Sequence, residues 1–155
     1  MIIRKTFKWE SAHRVRSSTC GRCRDTLHGH SYITEVYLSP VNPDSNDDMV
    51  MDFGDLKKVI GNFMDSLDHT TFIWLEDDPE YTDTIFKYSK RVVAMVKDPT
   101  AENIARATLS NLVHLLKASP VEVVKVRVHE TATGYAEAES FELADRMVVC
   151  HDNAD

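Results

Sequence analysis

The sequence has few cysteines, no long apolar run and no excess of positive charge. Three cysteines, Cys20, Cys23 and Cys150, are an odd number, which in a reducing compartment favours ligands, nucleophiles or bystanders over disulfides. No apolar run approaches the roughly 20 residues that span a bilayer, and the N-terminal residues lack the apolar centre and cleavage site of a signal peptide. We therefore expect a cytoplasmic protein that does not associate with membranes.

The net charge of -7 argues against a general nucleic-acid-binding protein, because such proteins are usually basic. The charge is unevenly distributed: residues 1–30 carry a net charge of +5 and the remaining residues carry -12. A basic segment in an acidic protein suits a small anionic substrate. Ordinary solvated strand and loop charges explain the same pattern equally well.

The chain reads as one globular domain over residues 1–150, followed by a disordered tail over residues 151–155. Its 155 residues are 43% hydrophobic, enough for a proper core, and they contain no internal repeat, linker or low-complexity segment. The first strand runs from Ile3 to His13, with alternating residues from Phe7 to His13 on its inner face. A loop follows over residues 14–27, and a second strand extends from His30 to about Val41.

Two helices and two further strands are predicted next. The helices begin after the N-caps Asp52 and Thr100 and end near residues 67–69 and 118. The later strands comprise residues 124–130, with Val124, Val126, Val128 and Glu130 facing inward, and residues 135–149. Residues 70–98 are the least readable, with an acidic turn, a possible short helix to Ser89 and a possible short strand at 91–96. The predicted fold is α+β with the order ββααββ, an antiparallel sheet and both helices on one face.

Three histidines are the strongest chemical signal in the sequence. His28 and His30 alternate along an extended segment and therefore project the same way, and His13 ends the preceding inner row. Three imidazoles are the ligand set of a catalytic zinc, since they leave a fourth position for water or substrate. A closed structural site formed by Cys20, Cys23, His28 and His30 is the competing interpretation, and it leaves the function elsewhere.

Carboxylates and a free cysteine complete the candidate site. A dication and several arginines beside a cysteine would favour its thiolate form. Proton abstraction near neutral pH requires that form. Asp68 and His69 could supply the opposite proton transfer, although adjacent residues in an extended segment usually face apart. Glu130, in an inward phase, must find hydrogen-bond donors or lose its charge, and it could bind an amidine-like edge of a pterin or guanine. Glu102, in the first turn of a helix, is explained by the helix dipole alone.

Taken together, these motifs resemble the 6-pyruvoyl-tetrahydropterin synthase family, whose bacterial branch includes 6-carboxy-5,6,7,8-tetrahydropterin synthase of queuosine biosynthesis. The resemblance covers roughly residues 4–145. The motifs, in order, are Phe7-Lys8-Trp9-Glu10-Ser11-Ala12-His13-Arg14, Cys23, Leu27-His28-Gly29-His30-Ser31-Tyr32, Met49-Val50-Met51-Asp52-Phe53, Leu67-Asp68-His69, Pro99-Thr100-Ala101-Glu102-Asn103 and Glu130-Thr131.

The resemblance implies a tunnelling fold, in which ββααββ subunits join their sheets into a barrel, usually as a hexamer of two trimers with active sites between subunits. It implies a zinc-dependent carbon-oxygen lyase acting on 7,8-dihydroneopterin triphosphate, and the carboxy-forming reaction is preferred over the pyruvoyl-forming one. The implied roles are zinc ligation by His13, His28 and His30, proton transfer by Cys23, Asp68 and His69, and pterin binding by Glu130, Thr100 and Glu102.

Two features depart from the family pattern. Bacterial members often carry the cysteine four residues before the first histidine of His-Gly-His, where this chain has Arg24. Cys23 is therefore the preferred base, and Cys20 stays open as the alternative. The stretch between His69 and Thr100 is also longer than in compact members and could reshape the entrance to the pocket.

Overall fold

The computed structural model describes residues 1–44 and 48–151, which form one sheet and four helices. The strands are β1 (Ile3–His13), β2 (His28–Pro40), β3 (Thr70–Trp74), β4 (Arg91–Met95), β5 (Val121–His129), β6 (Tyr135–Glu139) and β7 (Val148–His151). The helices are α1 (Gly21–Asp25), α2 (Phe53–Ser66), α3 (Pro79–Tyr88) and α4 (Ala101–Leu115). No helix in this part of the chain has both the length and the apolar character needed to cross a membrane.

The seven strands form a single sheet in the order β6-β5-β2-β1-β3-β4-β7. The fold is α+β, as predicted, and it contains the ββααββ framework, but the sheet is mixed and not purely antiparallel. Strand β3 pairs in parallel with both β1 and β4, because the connections between these strands include helices α2 and α3 and bring the chain back to the same end of the sheet. Strand β3 was absent from the prediction.

Helices α2 and α4 pack on one face of the sheet, as predicted. Their N-caps are Asp52 and Thr100, whose side chains accept hydrogen bonds from backbone N–H groups in the first turn. The stripe of α2 is buried at Leu56, Ile60 and Met64, whereas Phe53 is exposed. The buried side chains of α2 form the main core together with those of α4 and the inner face of the sheet. Helices α2 and α4 therefore pack against the same face of the strands.

Helix α3 packs on the face of strands β3 and β4 that is turned away from the main core. Phe72 belongs to the main core, whereas the next residue, Ile73, packs with Val92 and Ala94 in a second cluster. Tyr81 and Ile85 of α3 pack against this second cluster. Alternation along β3 thus places successive side chains in two different cores. Strands β3 and β4 are therefore covered by other residues on both faces.

Because of a β-bulge, the inward-facing residues of β5 differ from those predicted. The register with β2 shifts between Tyr37 and Leu38, so that Leu38 pairs with Val123. Val123 is therefore buried and Val124 is only partly buried, whereas Val126 and Val128 are buried as predicted. One extra residue in a strand reverses which side chains face the core on the far side of the bulge.

The predicted strand over residues 135–149 is wrong, because it is divided into β6 and β7 by an irregular segment. Two side chains of α4 bind this segment: the Ser110 hydroxyl accepts a hydrogen bond from the Ala144 N–H at 2.9 Å, and the Asn111 amide donates to the Met147 carbonyl at 3.2 Å. Residue 151, predicted to begin the tail, belongs to β7. The rest of the predicted tail, residues 152–155, lies outside the described residues.

Candidate metal centre and thiol loop

Three histidine side chains meet at one end of the β1–β2 pair. His13 pairs with His28 in the antiparallel register, and His30 lies opposite Ser11, so alternation places the three imidazoles on one face. One nitrogen of each ring lies within 4.8 Å of the others. Among residues 1–44 and 48–151, no cysteine belongs to this potential metal-binding group, which disfavours the closed cysteine-histidine site.

The core of the protein reaches this cluster through Tyr32, whose hydroxyl lies 3.3 Å from His13 Nδ1. Trp9 stacks on Tyr32 with ring centroids 4.2 Å apart, and the Trp9 indole donates a hydrogen bond to the Thr34 hydroxyl at 2.9 Å. The two strands approach closely at Gly29, where a Cβ atom would lie 3.3 Å from the Ser11 carbonyl oxygen. Glycine between the two histidines therefore permits the strand spacing that brings the imidazoles together.

Backbone carbonyls orient two of the imidazole rings. The Nδ1 atom of His13 lies 2.8 Å from the Pro99 carbonyl oxygen, and that of His28 lies 2.9 Å from the Thr26 carbonyl oxygen. These contacts favour the tautomer with hydrogen on Nδ1 and leave Nε2 available as a ligand. The His13 Nε2 atom is buried and makes no hydrogen bond. A buried ring nitrogen without a hydrogen bond, beside two further imidazoles, fits a metal ion such as zinc.

Burial favours the neutral form of two of the imidazoles, those of His13 and His30. It lowers the pKa of His13 to about 4, an effect that the hydrogen bond to Pro99 opposes and the charges of His28 and His30 increase. The pKa of His30 is also lowered, chiefly by burial, against the attraction of the Glu130 carboxylate. Because a histidine must lose its ring proton to bind a metal, these environments favour the ligand form.

The depressed pKa of His13 predicts a pH dependence of stability for the metal-free protein. Below about pH 6.5 the unfolded chain protonates His13, whereas the folded chain resists protonation down to about pH 4. The free energy of unfolding should thus fall as the pH decreases through this window, by on the order of 3 kcal/mol from this group. Chemical denaturation between pH 4 and 7 measures the effect. His13→Asn is the matched control, and identical pH profiles for the two proteins would refute the assignment.

Glu130 immediately follows β5 and faces the histidines. Its Oε1 atom lies 3.5 Å from His13 Nε2 and 4.0 Å from His30 Nε2, and its side chain retains 29% exposure. The sequence prediction that this carboxylate points inward is confirmed by these distances. Its position beside the imidazoles, with part of its surface still open, is suited to holding a ligand next to a bound metal.

Cys23 lies in the connection between β1 and β2, residues 14–27, which is here called the thiol loop. Helix α1 carries the cysteine, and the Cys23 carbonyl accepts a hydrogen bond from the Val15 N–H at 2.9 Å. The Glu130 charge acts on the Cys23 thiol, whereas Cys20 is exposed at the N-cap of α1. Cys23 therefore lies within electrostatic range of the carboxylate that faces the histidines.

The expectation that a thiolate is favoured fits Cys20 and not Cys23. Hydrogen bonds from the backbone N–H groups of Cys23 and Arg22 lower the pKa of Cys20, as does the Cys23 thiol. Burial raises the pKa of Cys23, and its hydrogen bond to Cys20 and the negative charges of Cys20 and Glu130 raise it further. The Arg22 charge lowers the pKa of Cys20 in the expected direction, whereas Arg24 pairs with Asp25.

Asp68 and His69 form a pair at the exit of α2. His69 adopts a left-handed backbone conformation with φ of 54°, and its Nε2 atom lies 3.6 Å from the Asp68 carboxylate. Adjacent side chains can therefore face each other here, although the regular strand geometry assumed from the sequence would separate them. The Arg91 guanidinium secures the turn by donating to the Asp68 carbonyl at 3.0 Å.

This pair contacts β1 rather than the thiol loop. The Glu10 N–H donates to the Asp68 carboxylate, and the His69 N–H donates to the Glu10 carbonyl, both at 2.7 Å. In the described part of the chain, no hydrogen bond or ion pair joins either residue to Cys23. His69 and His30 do line one open groove of about 370 Å³. The predicted relay between the pair and Cys23 is thus not assembled within one chain.

Thr100 and Glu102, predicted near the pterin pocket, lie at the start of α4. The Thr100 hydroxyl accepts the Asn103 N–H at 3.3 Å and acts as the N-cap. Glu102 is exposed in the first turn. Thr100 is next to Pro99, which contacts His13, whereas Glu102 has no recorded contact with the histidines among the described residues. Their roles in binding stay predictions.

Comparison with known proteins identifies the family. A sequence model described as 6-pyruvoyl tetrahydropterin synthase matches residues 2–140. The chain belongs to this family.

Individual relatives agree with this family. The chain is 34% identical over 145 residues to 6-carboxy-5,6,7,8-tetrahydropterin synthase of Helicobacter pylori strain J99, covering 89% of this chain and 72% of the relative. It is 36% identical over 155 residues to the enzyme of that name from Aquifex aeolicus, with 87% and 95% coverage. The solved 6-pyruvoyl tetrahydropterin synthase of Caenorhabditis elegans matches with a TM-score of 0.57 and 26% identity, covering 90% and 95%.

Sequence reasoning missed several residues that shape the candidate metal centre. The carbonyls of Pro99 and Thr26, and the Tyr32 hydroxyl 3.3 Å from His13 Nδ1, contact the metal-ligand candidates. Tyr32 shares the alternation phase of His28 and His30, so the sequence did carry a signal for it. The contact between Pro99 and His13 joins residues 86 positions apart and left no local pattern to detect.

Proposed function

We propose that the protein is a zinc-dependent 6-carboxy-5,6,7,8-tetrahydropterin synthase, which converts 7,8-dihydroneopterin triphosphate and water to 6-carboxytetrahydropterin, acetaldehyde and triphosphate. The observation that carries the proposal is the convergence of His13, His28 and His30 with a buried His13 Nε2 atom that makes no hydrogen bond. The names of the Helicobacter pylori and Aquifex aeolicus relatives support the carboxy-forming reaction.

The three histidines would hold zinc through ring nitrogens, with Pro99 and Thr26 keeping two of the rings in the ligating tautomer. When bound, zinc would supply Lewis acidity to the hydroxyls and developing carbonyl of the substrate side chain. Glu130 would accept two parallel hydrogen bonds from the amidine-like edge of the pterin. Its distances of 3.5 and 4.0 Å from the histidine nitrogens would place the pterin ring beside the metal.

Cys23 would act as the general base on the substrate side chain. Its pKa is raised in the metal-free chain, and the positive charge of a bound dication favours the thiolate. Asp68 and His69 would complete proton transfer, the carboxylate orienting the imidazole. Because they contact Glu10 and not Cys23 within one chain, we propose that the relay forms between neighbouring copies in a homohexamer. Assembly and cytoplasmic location stay predictions from the sequence.

Product analysis tests this function. The reduced, zinc-loaded protein is incubated with 7,8-dihydroneopterin triphosphate, the pterin product is identified by mass and acetaldehyde is assayed separately. We expect 6-carboxytetrahydropterin together with acetaldehyde. Formation of 6-pyruvoyl-tetrahydropterin without acetaldehyde would assign the alternative family activity, and equal turnover of dephosphorylated dihydroneopterin would refute the role of the triphosphate. Bound zinc without any turnover would favour a non-catalytic scaffold.

A further inference from the structure

One short segment contacts both the histidine cluster and the loop that carries Cys23. Asp98 and Pro99 connect β4 to α4, and both are buried. The Pro99 carbonyl contacts His13 Nδ1 at 2.8 Å. The Asp98 carboxylate accepts hydrogen bonds from the backbone N–H groups of Arg16 at 3.1 Å and Ser17 at 2.6 Å. Adjacent residues on a rigid connection thus hold a metal-ligand candidate and the loop that precedes the cysteine.

Further hydrogen bonds connect the backbone of Arg16 and Ser17 to the segment that carries Cys23. Val15 precedes the two residues bound by Asp98, and its N–H donates to the Cys23 carbonyl at 2.9 Å. Ser18 follows them, and its N–H donates to the Val15 carbonyl at 3.1 Å. Its hydroxyl also accepts the Cys20 N–H at 3.1 Å. The neighbouring Arg16 guanidinium donates to the Arg24 carbonyl at 3.2 Å, which ties the loop to α1. Movement of the anchored backbone would therefore move the thiol.

We propose that Asp98 is a positioning residue, which together with the Pro99 carbonyl fixes the Cys23 thiol relative to the His13 ring. The inference rests on the proposed function of Cys23 as the base beside the metal. A charged acceptor of two backbone N–H groups makes stronger hydrogen bonds than a neutral one, and a base loses efficiency when it leaves hydrogen-bonding reach of its target. Asp98 itself does not touch the substrate.

Variants at position 98 test the proposal in the full-length protein. In the zinc-loaded enzyme, Asp98→Ala should lower kcat by about 10- to 100-fold, the range found for groups that orient metal ligands, with KM changed less than about threefold. Asp98→Asn should be intermediate, since its amide oxygen still accepts one hydrogen bond. Asp83→Asn, which removes an exposed aspartate of α3, is the matched control and should retain full kcat.

Two further readouts do not depend on turnover. In the metal-free folded protein, alkylation of Cys23 by iodoacetamide, mapped by mass spectrometry, should become at least about threefold faster in Asp98→Ala because the loop loosens and exposes the thiol. Deuterium uptake should rise selectively over residues 14–25. If wild-type protein has no turnover, the proposed function fails while these readouts still decide the role of Asp98.

Several results would overturn the inference. Unchanged alkylation and unchanged uptake over residues 14–25 in a folded Asp98→Ala variant would show that Asp98 does not hold the loop. Uptake that rises evenly over the whole chain, with wild-type kcat after folding is verified, would assign Asp98 to general stability alone. If Asp98→Ala fails to fold, Asp98→Asn supports the same comparison, because it preserves size and one acceptor.

Discussion

Replacing His28 or His30 by alanine is expected to lower zinc affinity by more than about 100-fold and to abolish turnover. Loss of a group that merely orients a ligand costs 10- to 100-fold in metal affinity or activity, and loss of a ligand itself should exceed that range. These two residues are less buried than His13, so their replacement perturbs the core less. Competition with a chromophoric chelator measures the affinity, and product formation measures the turnover.

His114→Ala is the matched control for these variants. His114 is an exposed histidine at the end of α4 and lies outside the metal-binding group. We expect wild-type zinc affinity and wild-type turnover for this protein. Wild-type affinity in both His28→Ala and His30→Ala would contradict the assignment of the metal centre.

Cys23→Ala is expected to keep zinc and to lose turnover by about 10²- to 10⁴-fold, the usual contribution of a general acid or base. The Glu130 charge acts on the Cys23 thiol, but no cysteine belongs to the metal-binding group among the described residues. Zinc content per chain and kcat, measured on the same preparation, separate ligation from proton transfer. The alternative closed site predicts instead that zinc and stability are lost together.

Cys20→Ala provides the comparison within the loop. Cys20 is exposed at the N-cap of α1, so we expect its replacement to reduce kcat by less than about tenfold, through the lost influence of Cys20 on the pKa of Cys23. A loss in Cys20→Ala that equals or exceeds the loss in Cys23→Ala would transfer the role of the base to Cys20. The lowered pKa of Cys20 makes this comparison necessary.

The parts of the site that follow from local alternation could be predicted from the sequence. His13, His28 and His30 share one face because β1 and β2 are regular and pair without interruption near the histidines. The N-caps Asp52 and Thr100 are equally local, since a side chain binds N–H groups two or three residues away. In each case the deciding interaction lies within one element or between two adjacent strands.

Features set by distant residues could not be predicted in this way. The parallel pairing of β3 depends on how two helical connections return the chain to the sheet, and the bulge beside Val123 depends on the register with β2. The pKa of Cys23 is raised by burial and by Glu130, which is remote in sequence. The contacts of Asp98 with the thiol loop similarly join residues more than 80 positions apart.

Zinc titration of the metal-free protein tests the central claim most directly. Metal is removed from the reduced protein, zinc is added in substoichiometric steps, and 6-carboxytetrahydropterin and acetaldehyde are measured after each addition of 7,8-dihydroneopterin triphosphate. A single centre formed by His13, His28 and His30 predicts that product formation rises in proportion to zinc and reaches a plateau at one ion per chain. Full activity before zinc is added, or a zinc-saturated protein that forms no product, would contradict the account.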